Sequence, residues 1–412
     1  MTAIATDGDI AALARQQRRA EVPARLRAVG LVLPLVAFIV VSFVLPILLL
    51  LWKAGDNPEV RSVLPGTMAA LAHWDGAAVP DEPVFAALAS DLKRAAEART
   101  APYAGKRLNY EKSGMRSLLQ SGSRLAAALA QGPYKPAFLA ANPAWGDVAT
   151  WRVIARGRDL VTPYYLLTAL DLRQDESGSI VQVPADQRIF LPVLLRTLWI
   201  AFLVTLATLV LGYPVAYLLA VAPPAVAQSL MILVLLPFWT SLLVRTTAWV
   251  VLLQSNGVIN DLLQVLHIFD APQQLIFSRF GTVTAMTHIQ LPFTILPIYS
   301  VMKGIQPSQL RAALSLGAPP LSAYWRVYVP QTMPGIAAGC LITFILSLGY
   351  YITPALVGGA TDQMVANFVA NYVNRDLNWG QAAALSMILL AVTLALYAVF
   401  ARLVGSDRLR MG

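Results

Sequence analysis

The sequence predicts an all-α membrane protein: six transmembrane helices, with a largely helical extracytoplasmic insert between helices 1 and 2. Three observations carry that prediction. Of 412 residues, 57% are hydrophobic and only 13% charged, against about 25% charged in an average soluble domain, and the mean hydropathy is +0.61. Six apolar stretches, at 29–52, 197–221, 229–252, 281–302, 335–357 and 383–404, reach the roughly 20 residues that a helix needs to cross a hydrocarbon core. Between the first and second lies a polar segment, 53–189, with 16 Lys+Arg and 14 Asp+Glu, a balance typical of soluble protein.

In chain order, residues 1–28 place Asp9 as an N-cap before Ile10, Leu13 and clustered arginines, and break at Pro23. That pattern reads as a cytoplasmic amphipathic segment lying on an anionic leaflet. The first apolar stretch is too long for a signal-peptide core and lacks a small-residue cleavage site, so it reads as transmembrane helix 1. In the insert, Glu82–Arg99 and Asn109–Ala130 have helical periodicity. A stretch from Trp145 to Leu172 carries enough aromatic residues for a small core, and Asp175–Gly178 reads as a turn. Residues 190–404 form the five-helix core, with a cytoplasmic loop at 303–334 and a cytoplasmic tail at 405–412. Prolines inside the stretches (Pro34, Pro46, Pro214, Pro237, Pro292, Pro297 and Pro354) are tolerable because packed membrane helices re-satisfy the carbonyls a proline frees.

Short-loop cations set the orientation. With the N-terminus inside, the inner segments hold Arg15, Arg18, Arg19, Arg25, Arg27, Lys303, Arg311, Arg326, Arg402, Arg408 and Arg410, while the outer short loops hold only Arg279 and Arg375. Both termini are therefore expected in the cytoplasm of a multi-pass plasma (inner) membrane protein. The long insert does not disturb this assignment, because long loops translocate largely regardless of charge.

Several function classes are disfavoured. One cysteine, Cys340, excludes an internal disulfide, and three scattered histidines (His73, His267 and His288) supply no local metal motif. Residues 187–260 and 271–361 contain no Asp or Glu, so the carboxylates that usually relay protons are missing from spans two to five. No P-loop pattern occurs, so nucleotide binding of that kind is excluded. The energy for any transport has to come from a partner.

The loop from Lys303 to Pro334 carries the strongest signal. Ser308 is a candidate cap for a short helix with Leu310, Ala313, Leu314 and Gly317 on one face. Gly317 suits a left-handed helix stop, and Pro320 suits the first turn of a second helix bearing Tyr324, Trp325 and Tyr328. A compact helix-turn-helix on the cytoplasmic side is a docking element.

The spacing Ala312-Ala313, Gly317 and then Val327-x-Val329-Pro330 resembles the EAA loop of ABC importer permeases. Further stretches resemble the spermidine/putrescine branch of that family: Gly212-Tyr213-Pro214-Val215-Ala216-Tyr217, Leu236 to Arg245, Leu291-Pro292-Phe293, Pro297 to Ser300, and Pro334 to Gly339. The resemblance covers about 190–404, and the 53–189 insert lies outside the minimal pattern. It implies the type I ABC importer permease fold and a non-catalytic subunit moving a small solute, a polyamine first. No cofactor is implied in this chain, since ATP and Mg are bound by the partner ATPase. The partners implied are two ATPase subunits, an extracytoplasmic solute-binding protein and a second permease subunit. Membrane lipid surrounds the assembly, and no nucleic acid is expected.

The ATPase-coupling residues implied are Arg311, Ala312, Ala313, Gly317, Tyr324, Tyr328 and Pro330. Arg311 stands where the family has Glu. That removes a salt bridge and a capping box with Ser308, and suggests that the second permease is a different chain.

Candidate pathway residues are Trp239, Thr240, Ser241, Arg245, Tyr299, Tyr350, Tyr351 and Thr353. An intramembrane Arg245 is costly unless paired or hydrated, so it either pairs with a carbonyl or faces the pathway. Gly349 to Pro354 interrupts an apolar helix with polar aromatics, as pathway-lining breaks do; helix packing accounts for the tyrosines equally well. His288 and Gln290 read as interhelical hydrogen-bond partners, and Gly358-Gly359 as a turn. Two other classes stay open: an ion-coupled secondary carrier, and a membrane scaffold that transports nothing. A polycation would favour carboxylates or aromatic faces, and the spans offer only the latter.

Overall fold

The computed structural model describes residues 30–175 and 178–408, with side chains to residue 402. The predicted N-terminal amphipathic segment, the centre of the 175–178 turn and the last four residues lie outside them. The described chain forms two units, divided after Lys53.

The first unit is one apolar helix, α1 (Gly30–Trp52). Its middle widens into a π-turn, Val40–Val44, in which Leu45 N–H reaches back to the Val40 carbonyl. Pro46 follows directly. A proline cannot donate to the carbonyl four residues back and its ring clashes there, so the helix opens by one residue instead of kinking.

The second unit begins with a predominantly helical domain. Its helices are α2 (Pro58–Val63), α3 (Pro65–Ala70), α4 (Glu82–Glu97), α5 (Ala101–Glu111), α6 (Met115–Ala128), α7 (Tyr134–Ala141), α8 (Val148–Arg156) and α9 (Tyr164–Ala169). A two-stranded hairpin follows, β1 (Leu172–Gln174) antiparallel to β2 (Ile180–Gln182), with Arg173 opposite Val181. The predicted helix Asn109–Ala130 is in fact two. Gly114 adopts φ +89, and the Asn109 side chain accepts from Gly114 N–H at 2.9 Å, closing one helix and opening the next. The apolar periodicity ran through this break and concealed it. The core is aromatic: Trp151 lies edge-on to Phe85 at 4.8 Å, Trp145 edge-on to Phe138 at 5.3 Å, and Trp151 Nε1 donates to the Trp145 carbonyl.

The helical core continues with α10 (Phe190–Val221), α11 (Pro224–Leu235), α12 (Leu242–Leu253), α13 (Val258–Val265) and α14 (Arg279–Gly304). Next come α15 (Pro307–Ser315), α16 (Pro320–Leu348), α17 (Ile352–Val357), α18 (Val365–Asn374) and α19 (Trp379–Arg408). Among the described residues five segments are both long and apolar enough to cross a membrane: α1, α10, Leu242–Val265, α16 and Trp379–Arg402. With 26 residues α14 is as long, but it carries buried polar groups.

Two predicted spans need correction. The stretch 229–252 is not one helix: it ends in a 3₁₀ turn at Leu236–Trp239 and restarts at Leu242. Pro237 withholds an N–H, and Ser241 caps the restart by accepting from Val244 N–H. The stretch 335–357 starts much earlier, at Pro320, and stops at Leu348; residues 349–351 separate it from α17.

Helices α10, α14 and α16 pack closely because small residues face them. A Cβ on Gly339 would sit 2.8 Å from the Thr294 carbonyl, one on Gly335 2.9 Å from the Pro297 carbonyl, and one on Gly212 3.1 Å from Ile295. Polar groups close the same seam: Thr294 and Thr343 hydroxyls meet at 2.6 Å, and Ser347 Oγ donates to Gln290 Oε1 at 2.8 Å. Gln290 is thus an interhelical hydrogen-bond partner.

The domain at 54–189 is joined to this core. Asp171, 4% exposed, accepts from the N–H groups of Ile189, Phe190 and Leu191 at 3.0, 3.1 and 2.7 Å, and so caps α10 from outside the helix. Phe190 packs on Phe368 and Tyr372 of α18. Tyr165 rests against Gly380, where any Cβ would collide with its ring.

Candidate functional site

The loop at 303–334 is built by α15, a tight turn and the first turns of α16. Pro307 supplies the first helical residue and Gln306 the N-cap position, because a proline's fixed φ suits a helix start. Ser308 is therefore the second helical residue, and the capping role predicted for it is not seen. Arg311 is correspondingly the fifth residue, not the third. A Glu there would complete no capping box with Ser308, and the Arg311 side chain instead reaches back to the Pro307 carbonyl, Nε to O 3.4 Å.

The helix stops as the spacing predicted. Gly317 has φ +88; its N–H donates to Leu314 O and that of Ala318 to Ala313 O, at 3.0 and 3.1 Å. This is a Schellman closure. A Cβ on Gly317 would meet no atom within 4 Å, so the glycine is required by its backbone angle and not by crowding.

Beyond Pro319 and Pro320, α16 runs without interruption from the loop into the span. The loop's second helix is therefore no separate element. A π-turn at Tyr324–Tyr328 ends where Val329 N–H bonds the Tyr324 carbonyl, immediately before Pro330. The device is the one seen at Pro46. The Gln331 side chain donates to the Val327 carbonyl at 2.6 Å.

The π-turn presents Tyr324 and Tyr328 to the end of α10. Tyr217 meets both edge-on at 5.6 Å, the two rings stack on each other at 5.5 Å, and Tyr324 OH donates to Tyr213 OH at 3.3 Å. Tyr213 in turn lies 3.4 Å from the Thr332 hydroxyl. Leu310 and Tyr299 pack on the same apolar cluster, around Ile298, Met302 and Tyr328. The opposite surface is bare: Ala312 is exposed and Ala313 half-buried, Leu316 is 89% exposed and Trp325 60%. Tyr213 and Tyr217 were not among the predicted site residues. Their only signal was the Gly212–Tyr217 stretch, which lies more than 100 residues away.

The predicted pathway residues divide. Trp239 is 76% exposed and, with Thr240 and Ser241, forms the break between α11 and α12; Thr240 Oγ1 donates to the Pro237 carbonyl at 3.0 Å. Arg245 lies in the first turns of α12. Its Nε is buried with no hydrogen-bond partner. Trp249 Nε1 donates to His288 Nδ1 at 3.1 Å, which leaves a neutral His288 its proton on Nε2. Thr353 is fully buried and meets the Thr246 hydroxyl at 3.2 Å, joining α12 to α17. Tyr350 packs beside Ile200, Val204, Met286 and Met364. Tyr351 is exposed, and its carbonyl accepts from the Asn367 amide. The first break thus leaves Trp239 exposed and the second leaves Tyr351 exposed, while α12 is tied to α14 through Trp249 and to α17 through Thr246.

The chain is similar to known proteins over about half of its length. The family model described as binding-protein-dependent transport system inner membrane component matches residues 197–410. The spermidine/putrescine transport system permease protein PotB of Escherichia coli (strain K12) is 35% identical over 212 residues, covering 51% of this chain and 77% of that protein. The inner membrane ABC transporter permease protein YdcU of the same organism is 33% identical over 228 residues, covering 52% and 72%. A chain of a solved bacterial alginate ABC transporter aligns over 53% of this chain and 79% of its own, with a TM-score of 0.43 and 18% identity. The family match spans the half of the chain that holds the Gly317 turn and the tyrosine contacts, and the chain belongs to the inner-membrane components of binding-protein-dependent transport systems, the permeases of ABC importers.

Proposed function

We propose that this chain is one of two transmembrane subunits of an importer that carries a small polyamine-class solute inward, driven by ATP hydrolysis in separate subunits. The observation that carries this reading is the continuity of α16. Its N-terminal end, with α15, presents bare Leu316 and Trp325, while Tyr324 and Tyr328 grip Tyr213 and Tyr217 of α10. A push on the exposed surface is thereby delivered to two spans at once.

In this reading α14 is the sixth span beside the five apolar ones, both termini are cytoplasmic, and the 54–189 domain is extracytoplasmic. Two ATPase subunits, holding ATP and Mg, dock on α15 and the start of α16. A solute-binding protein docks on the opposite face, with the 54–189 domain as part of its platform. The second permease subunit is a different chain, because Arg311 replaces the acid that a symmetric pair would carry twice. The solute passes the region of Arg245, Tyr350 and Tyr351. Polyamine as solute is supported by the likeness to PotB, a spermidine/putrescine permease; the tyrosines at the 349–351 break suit a cation.

The test is uptake of labelled putrescine and spermidine into proteoliposomes holding the complete complex. Uptake that requires both ATP inside and the binding protein outside is expected. Uptake driven by an ion gradient without nucleotide would sink the reading in favour of a secondary carrier.

A further inference from the structure

One cavity belongs to none of these functions. It holds about 220 Å³ where the 54–189 domain meets the start of α19. Three tyrosines and a tryptophan line it: Tyr103 and Tyr110 from α5, Tyr165 from α9, and Trp379. Glu59 of α2 lines it too, and Glu59 Oε2 is buried with no hydrogen-bond partner. A buried carboxylate oxygen without a donor is costly, so a site that keeps one asks for a donor from outside.

Two cations share the wall, and neither hydrogen-bonds Glu59 Oε2. Arg107, also in the wall, pairs with Glu111 at 2.8 Å and lays its guanidinium over the Tyr164 and Tyr165 rings at 4.7 and 5.1 Å, but its Nε is buried without a hydrogen-bond partner. Lys106 donates to the Asp376 carbonyl. Glu59 has no ion-pair partner among the described residues.

We propose that this cavity binds an organic ammonium group, seated against the Glu59 carboxylate and the faces of Tyr103 and Trp379. Each part has a separate reason. The carboxylate supplies charge and an acceptor, and the ammonium N–H supplies the donor it lacks. Exposed aromatic faces favour an alkylammonium, which sheds its water easily, over a strongly hydrated inorganic cation. Tyr103 is 66% and Trp379 50% exposed, so a ligand can enter without opening the fold. Glu59 and the tyrosines come from the domain outside the family match, and Trp379 from inside it, so the site exists only where the two are joined. The assignment rests on these residues alone and stands whether or not the transported solute is a polyamine.

The test is titration of the purified full-length chain in nanodiscs with putrescine, read by calorimetry, with 1,4-butanediol and potassium chloride as controls. Saturable putrescine binding is expected, with none for the diol. Glu59→Gln, nearly isosteric, should weaken it by about tenfold or more, and Tyr103→Ala, at an exposed position that leaves the fold intact, by roughly threefold. The proposal is overturned by any of three results: no binding up to about 10 mM, equal affinity in folded Glu59→Gln and wild type, or complete displacement by potassium at matched ionic strength. Uptake is scored separately in the same variants. Lost binding with intact uptake supports a site distinct from the pathway, whereas failed uptake in a protein that still binds putrescine through Glu59 counts against the transport reading alone.

Discussion

At the scale of single residues, backbone geometry decides more than side-chain identity. Gly317 is held at φ +88 with open space around its α-carbon. Gly317→Val should cost about 1–2 kcal/mol in that turn, because a β-branched residue resists the left-handed region. Gly317→Asn, which tolerates it, should cost much less. Circular dichroism melting of the two variants checks the order. Asp171 holds three N–H groups at the start of α10, so Asp171→Ala should lower stability by about 2 kcal/mol, read as a drop in Tm in detergent. The Asp147 carboxyl is held below its ordinary value of 3.8, first by its hydrogen bond from Lys112. This contribution is fully present above that pH and fades as pH falls through the lowered value. Both groups are partly exposed, so it is small, under about 1 kcal/mol; Lys112→Met should remove the acid-limb difference in a Tm-against-pH series.

At the scale of elements, prolines and small residues shape the helices. The two π-turns each end directly before a proline, at Pro46 and Pro330, and the second aims Tyr324 and Tyr328 at α10. The α14–α16 seam depends on Gly335 and Gly339. Gly339→Leu should therefore separate the helices and abolish stable expression, since its Cβ alone would press on the Thr294 carbonyl at 2.8 Å. Gly304→Ala, at a position with nothing within 4 Å, should be neutral or stabilise by about 0.5 kcal/mol. Size-exclusion profiles of the two variants separate these outcomes.

These elements also show what the sequence made legible. The Gly317 stop was readable because turn and cap chemistry is local, whereas the Ser241 cap lay hidden inside an apolar stretch read as one span. The Asn109–Ala130 helix was misread because its apolar period continues across Gly114. Ser308 was misassigned because Pro307 starts the helix two residues sooner. Pairings across long separations, such as Tyr217 with Tyr324 or Asp171 with the start of α10, leave no local pattern. They arise from packing, and only coordinates reveal them.

At the scale of the whole molecule, the 54–189 domain and the helical core share a cap, an aromatic contact and the Glu59 cavity, so the second unit should melt in one transition. The central claim is that the surface formed by α15 and the start of α16 transmits force between ATPase subunits and the spans. Its most direct measurement is ATP hydrolysis by the reconstituted complex, with and without solute-loaded binding protein, for wild type and Gly317→Val at equal assembly. Strong stimulation by loaded binding protein in the wild type, lost in Gly317→Val while basal hydrolysis persists, is the expected result. Equal stimulation in both would contradict a coupling role for this loop.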